Sequence, residues 1–139
     1  MFHPFSIFPE LLTFTFFAPL LLRVAVGTLF FWMGYKHLTK ERRTAEESVL
    51  HGRKWGPLSS VFIWSLGTVE ILAGGALFIG LYAQVAALAG VLLSALHIKL
   101  HRCYSTFSPY PKTYYLLLAV ICLSLILTGA GAFAFDLPL

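Results

Sequence analysis

Charge is what this chain of 139 residues has least of. Charged residues make up 12% of it, where a soluble domain carries roughly 25%. Hydrophobic residues reach 58% and mean hydropathy is +0.81. A surface that poor in polar groups excludes a water-soluble enzyme and a disordered tail. Cysteine is scarce as well. Two cysteines and no C-x-x-C exclude a secreted disulfide scaffold and argue against a dithiol oxidoreductase working through its own thiols. Nor is there a G-x-G-x-x-G, a P-loop, a nucleophile motif, an internal repeat or a low-complexity tract. The net charge of +4 could suggest a nucleic-acid partner, but nine of the ten basic residues sit in two clusters flanking apolar runs. That placement points to a lipid bilayer and away from nucleic acid.

What is present is long apolar runs. A membrane-crossing helix needs ~20 mostly apolar residues, and four segments qualify: about 18–38, 58–79, 81–101 and 113–132. The first is interrupted by Arg23 alone and closed by Lys36, and Pro19 suits its first turn. The second follows the turn signal Gly56-Pro57 and holds one charge, Glu70. No Asp, Glu, Lys or Arg appears from Ile71 to Ile98, too long for one crossing, so Gly80 is read as a tight turn. The fourth follows Pro109 and Pro111 and stops at Gly129-Ala130-Gly131. The expected fold is all-α, a bundle of four transmembrane helices in a single membrane domain over 1–139. Helices satisfy their own backbone polar groups, as lipid demands.

The Phe-rich stretch Met1 to Phe17 has no basic n-region and no small-residue cleavage site, so it reads as an interfacial segment rather than a signal peptide. Residues about 39–56 are solvated. Glu41, Glu46 and Glu47 among basic residues fit either a short helix against anionic headgroups or a charged loop. Lys36, Lys40, Arg42, Arg43, Arg53 and Lys54 lie between the first two spans, and Lys99, Arg102 and Lys112 join the last two. The N-terminal segment, the Gly80 turn and the C-terminus have none. By the positive-inside rule the basic loops face the cytoplasm and both termini lie outside a prokaryotic inner membrane.

Glu70 is the most informative residue. A carboxylate near the bilayer centre costs about 2.5–3.5 kcal/mol on insertion scales, and its default reading is functional, with a partner to be named. Helix rise puts it about 14 Å from the outer end of its helix and Arg23 about 7 Å from the outer end of the first. Lys36 and Lys99 fall at the opposite boundary, so Arg23 is the expected partner. Arg23, Gly27, Phe30, Gly34 and His37 form one stripe at helical spacing; Gly67, Glu70 and Gly74 form another. Small residues let helices approach closely in lipid, so the stripes are expected to face each other across an Arg23–Glu70 pair. That pair either locks helix register or serves a ligand or a proton.

The third span carries its own stripe, Ala83, Ala87, Gly90, Ser94, His97 and His101. His97 and His101 have metal-ligand spacing, with His37 and Cys103 near the same depth. No third ligand is set by the sequence, no haem or metal motif is specific, and an interfacial hydrogen-bonding pair is the preferred reading. Cys103 and Cys122 are expected about 15 Å apart in depth, too far for a disulfide.

Several pieces, in order, resemble the DoxX family of small bacterial membrane proteins. They are Leu22-Arg23 through Gly34-Tyr35-Lys36, then Glu70-Ile71-Leu72-Ala73-Gly74-Gly75, then Gly80-Leu81-Tyr82. The last is the ending Gly129-Ala130-Gly131-Ala132-Phe133-Ala134-Phe135-Asp136, similar to a Gly-Ala-Gly-x-aromatic-Ser-x-Asp signature. Ala134 departs from the usual Ser, and Tyr114-Tyr115 stands where many members carry Glu-Tyr. The family is named for a subunit of a thiosulfate:quinone oxidoreductase. Other members look like membrane parts of redox-defence complexes, and distant relatives resemble assembly chaperones and cargo receptors. The resemblance implies a cluster of Arg23, Glu70 and Asp136, lined by Tyr82 and Gln84. It also implies an accessory membrane subunit of an oxidoreductase system that meets quinone and a redox partner protein. The absence of any cofactor motif supports an alternative: a non-enzymatic scaffold, assembly factor or small carrier. Stripes of small residues also permit a homo-oligomer.

Overall fold

The computed structural model describes residues 17–51, 56, 58–104 and 110–128. The expected interfacial segment, the ending from Gly129 and Asp136 within it lie outside the described residues. Those described form five helices: α1 (Phe17–Leu38), α2 (Lys40–His51), α3 (Leu58–Ile79), α4 (Ala83–Cys103) and α5 (Lys112–Thr128). Three of them, α1, α3 and α4, are long and apolar enough to cross a membrane; α5 is a shorter apolar helix over its described residues. The fold is an all-α membrane bundle. Packing runs in a closed ring, α1 on α3, α3 on α4, α4 on α5 and α5 on α1, with α2 set against α1 and α3.

Each helix buries one stripe. Val26, Phe30 and Met33 of α1, Ile63, Leu66 and Leu77 of α3, Ala87 and Leu93 of α4, and Leu118, Cys122 and Leu125 of α5 share one core. Outside stand Leu21, Val61, Leu72, Leu92 and Leu127, exposed apolar side chains that only lipid would cover favourably.

The tightest seam joins α1 to α3 through glycine on glycine. A Cβ at Gly34 would lie 2.6 Å from the Gly67 carbonyl oxygen, and one at Gly74 would lie 2.7 Å from that of Gly27. The helices run antiparallel with Gly27 facing Gly74 and Gly34 facing Gly67, backbone against backbone. The turn after α3 follows from Gly80 at φ +81° and Tyr82 at φ +47°. The amides of Gly80 and Leu81 both donate to the Ala76 carbonyl and close the last turn. These two left-handed residues hold α4 back to Ala83, two residues after the expected start at Leu81.

Of the two forms open to residues 39–56, a helix is formed over Lys40–His51, separated from α1 by a bend at Thr39. It is supported by Arg42–Glu46 and Arg43–Glu47 pairs one turn apart. It does more than rest on a headgroup surface, because Glu46 and Leu50 are buried. Arg43 also lies over the Trp64 ring of α3, 5.5 Å from its centroid.

Candidate functional site

Where α1 ends and α2 begins, four helices bring polar side chains into the core. His37 comes from the last turn of α1, Glu46 from α2, Glu70 from the middle of α3 and His97 from α4, and all four are buried. His37 continues the buried stripe of Phe30, Met33 and Gly34; His97 continues that of Gly90, Leu93 and Ser94. The periodicity that builds the core therefore carries both imidazoles inward. The glycine seam then brings the α1 stripe close to Glu70.

The outer nitrogens of both rings are committed. Nδ1 of His97 faces the Leu93 carbonyl at 2.9 Å. A carbonyl only accepts, so that nitrogen carries hydrogen and donates it. Nδ1 of His37 donates to Oε2 of Glu46 at 2.7 Å, and Oε1 of Glu46 accepts from Nε of Arg42 at 2.8 Å. In the neutral rings both lone pairs then lie on Nε2. These two nitrogens are 3.5 Å apart. Nε2 of His97 is 3.1 Å from Oε1 of Glu70, and Nε2 of His37 is 3.8 Å from Oε2. Neither oxygen of Glu70 has a hydrogen-bond partner among the described residues, although the residue is fully buried. Acceptors therefore converge on acceptors. Such an arrangement is repulsive until positive charge enters it, as a proton or as a metal ion.

Tyr115 of α5 stacks on His97 at 4.9 Å between centroids, with planes 10° apart, and fixes the ring face-on. A cavity of about 10 Å³ lies beside the cluster, lined by Met33, Lys36, His37, Arg42, Tyr110 and Tyr115. Ser94, one turn from His97 on α4, is buried with no hydrogen-bond partner for its hydroxyl among the described residues.

The expected Arg23–Glu70 pair is not formed. Glu70 has ion-pair contacts with His97 and His37, while the guanidinium of Arg23 is buried against Gly80, whose Cβ would lie 2.5 Å from Nη1. The expected facing of the two stripes is correct, and the expected depth is not. With Gly27 opposite Gly74 and Gly34 opposite Gly67, Arg23 falls level with Phe78, about 12 Å along the axis from Glu70. Two imidazoles on converging stripes, rather than a Lys or Arg side chain, meet Glu70. Tyr82 and Gln84 are exposed and do not join Glu70. His97 gathers with His37 and Glu70, and His101 is not part of that group among the described residues. Glu46 had no sequence signal beyond its i, i+4 relation to Arg42. Both described cysteines are free, Cys103 exposed and Cys122 buried.

No curated protein and no solved structure matches the chain. The DoxX family profile matches residues 18–101, more than half of its length and all three helices of spanning size. With its apolar helices and lipid-suited exterior, this multi-pass membrane protein belongs to the DoxX family.

Proposed function

We propose that this DoxX protein is an accessory membrane subunit of an oxidoreductase system and that His37, Glu70 and His97 form its working site. The observation that carries the reading is the convergence of two buried imidazoles on the fully buried Glu70, whose carboxylate oxygens have no hydrogen-bond partner among the described residues. Ionisable residues inside transmembrane bundles mark ion paths and proton relays, and redox reactions in membranes move protons with electrons. Here Glu70, His37, Glu46 and Arg42 lie in series from the bundle interior to half-exposed α2. The series supports exchange of positive charge with the basic side, which the positive-inside rule makes cytoplasmic. The two cysteines lie apart, so electrons travel on a partner or on a lipid-soluble carrier such as quinone. A lipid-facing groove of about 360 Å³ lies between α1 and α3, walled by Gly27, Phe31, Gly74 and Phe78. Its volume suits a small apolar ligand, and Gly74 stands one turn beyond Glu70.

The test is extraction of the protein with its native lipids, followed by mass spectrometry for bound quinone and crosslinking for a redox partner. Glu70→Gln lowers both under this reading; unchanged quinone content and partner recovery refute it. A second reading, a scaffold without redox work, is favoured by one observation: the same cluster ties α1, α2, α3 and α4 together at one end. Under that reading Glu70→Gln lowers stability alone, and replacing Glu70 and His97 together by leucine restores part of it.

A further inference from the structure

We infer that His37, Glu70 and His97 form a binding site for a divalent first-row transition metal ion, held by two imidazole nitrogens and one carboxylate. The inference rests on the reading of this cluster as the working site, and it specifies what enters it.

Geometry comes first. One ligand atom from each of the three side chains lies within 4.8 Å of the others. A tetrahedral ion bound at about 2.0–2.1 Å needs ligand atoms about 3.3 Å apart. The two Nε2 atoms are 3.5 Å apart, His97 Nε2 lies 3.1 Å from Oε1 of Glu70, and His37 Nε2 lies 3.8 Å from Oε2. The carboxylate thus meets the two rings with different oxygens, and an ion taking one of them requires a small turn of the Glu70 side chain. The tautomers agree. Both Nδ1 atoms carry the hydrogen, one bonded to the Glu46 carboxylate and one to the Leu93 carbonyl. Metal-bound histidines receive just this support from a carboxylate or a carbonyl, which orients the ring and raises the basicity of the other nitrogen.

The independent observation is Glu70 itself, wholly buried with neither oxygen hydrogen-bonded among the described residues. A packing role alone would satisfy those oxygens with donors; a ligand role leaves them open. The donor set selects the ion. With two nitrogens it is poorly suited to Ca²⁺ or Mg²⁺, which take oxygen ligands. Without thiolate or thioether it does not suit Cu(I). Zn²⁺ and Fe²⁺ fit, with a fourth position left for water or a substrate group.

The test uses the full chain purified through a tag without histidine, in detergent, after chelator treatment and dialysis. Co²⁺ serves as the optical probe and Zn²⁺ as the competitor. The expected result is about one Co²⁺ per chain, with the intense visible absorption of four-coordinate cobalt, displaced by Zn²⁺. Glu70→Gln and His97→Gln weaken binding more than tenfold, and Glu46→Gln weakens it 10–100-fold through His37. His101→Gln leaves it unchanged. Wild-type protein that takes up no Co²⁺, or that binds it without the four-coordinate spectrum, overturns the inference. So does binding that survives both Glu70→Gln and His97→Gln. Should His97→Gln fail to fold, wild-type uptake and spectrum against isosteric Glu70→Gln still decide. Loss of the metal result with quinone and partner results intact would remove the ion and leave the proposed function standing.

Discussion

Two neighbouring glycines with opposite surroundings provide a sharp test of the α1–α3 seam. Gly74→Ala places a methyl 2.6 Å from the Phe31 backbone nitrogen, 2.7 Å from the Gly27 carbonyl oxygen and 3.1 Å from the Phe31 Cα. Every one of these atoms is backbone, so no rotamer change relieves the contact. Ordinary packing near 3.4 Å requires the two helices to part locally by almost an ångström. Overpacking of this kind costs typically 1–3 kcal/mol. Gly75→Ala makes the same change one residue later, where nothing lies within 4 Å of the new methyl. Both substitutions gain helix propensity of about 0.8–1 kcal/mol. Gly75→Ala should therefore be neutral or stabilising, and Gly74→Ala destabilising by up to about 2 kcal/mol after that gain is deducted, leaving the two variants about 1–3 kcal/mol apart. The protein contains its own reporter. Cys122 is fully buried, so in a Cys103→Ser background its reaction with a fluorogenic maleimide on heating follows unfolding in detergent. Equal midpoints for the two variants would refute the seam as drawn.

Glu46→Gln removes the charged partner of both His37 and Arg42 at a buried position, a loss of about 1–3 kcal/mol. It should appear first as faster amide exchange in α2, while an unchanged α2 would show that the pair does not hold that helix. Gly80→Ala forces a β-carbon into a left-handed conformation at a cost of about 1–2 kcal/mol. Its unfolding midpoint should fall, and a midpoint matching the parent would contradict the turn. Exposed Cys103 should react with a membrane-impermeant maleimide in inverted vesicles and be protected in right-side-out ones. The reverse pattern would overturn the assignment of the basic side to the cytoplasm.

Much of the fold is legible because lipid writes it in long runs: the helix ends at Leu38, Leu58 and Ile79 coincide with the limits of apolar segments. The start of α4 is less so, since the left-handed backbone at Tyr82 leaves no composition signal. Glu70 is legible as a costly charge, and its glycine-flanked stripe shows which helix it faces. Its partners are not. Helix rise counted separately on α1 and α3 leaves their axial offset unknown, and the Gly27–Gly74 and Gly34–Gly67 contacts set that offset only in three dimensions. Glu46 is hidden for another reason. Among Arg42, Arg43 and Glu47 it reads as part of a solvated face, and only the fold shows it paired inward with His37.

The mirrored glycine contacts also have a mechanical meaning. With peptide planes pressed together at two heights and no side chains between them, α1 and α3 can neither slide nor rotate without collision. They behave as one strut that bears His37 and Glu70. His97 rides on α4, which reaches this strut across the short link at Leu81 and is paired on its other side with α5. The centre thus joins two halves of the bundle, His37 and Glu70 from the α1–α3 pair and His97 from the α4–α5 pair, so a change in how those halves pack is read directly in the spacing of its nitrogens and oxygens.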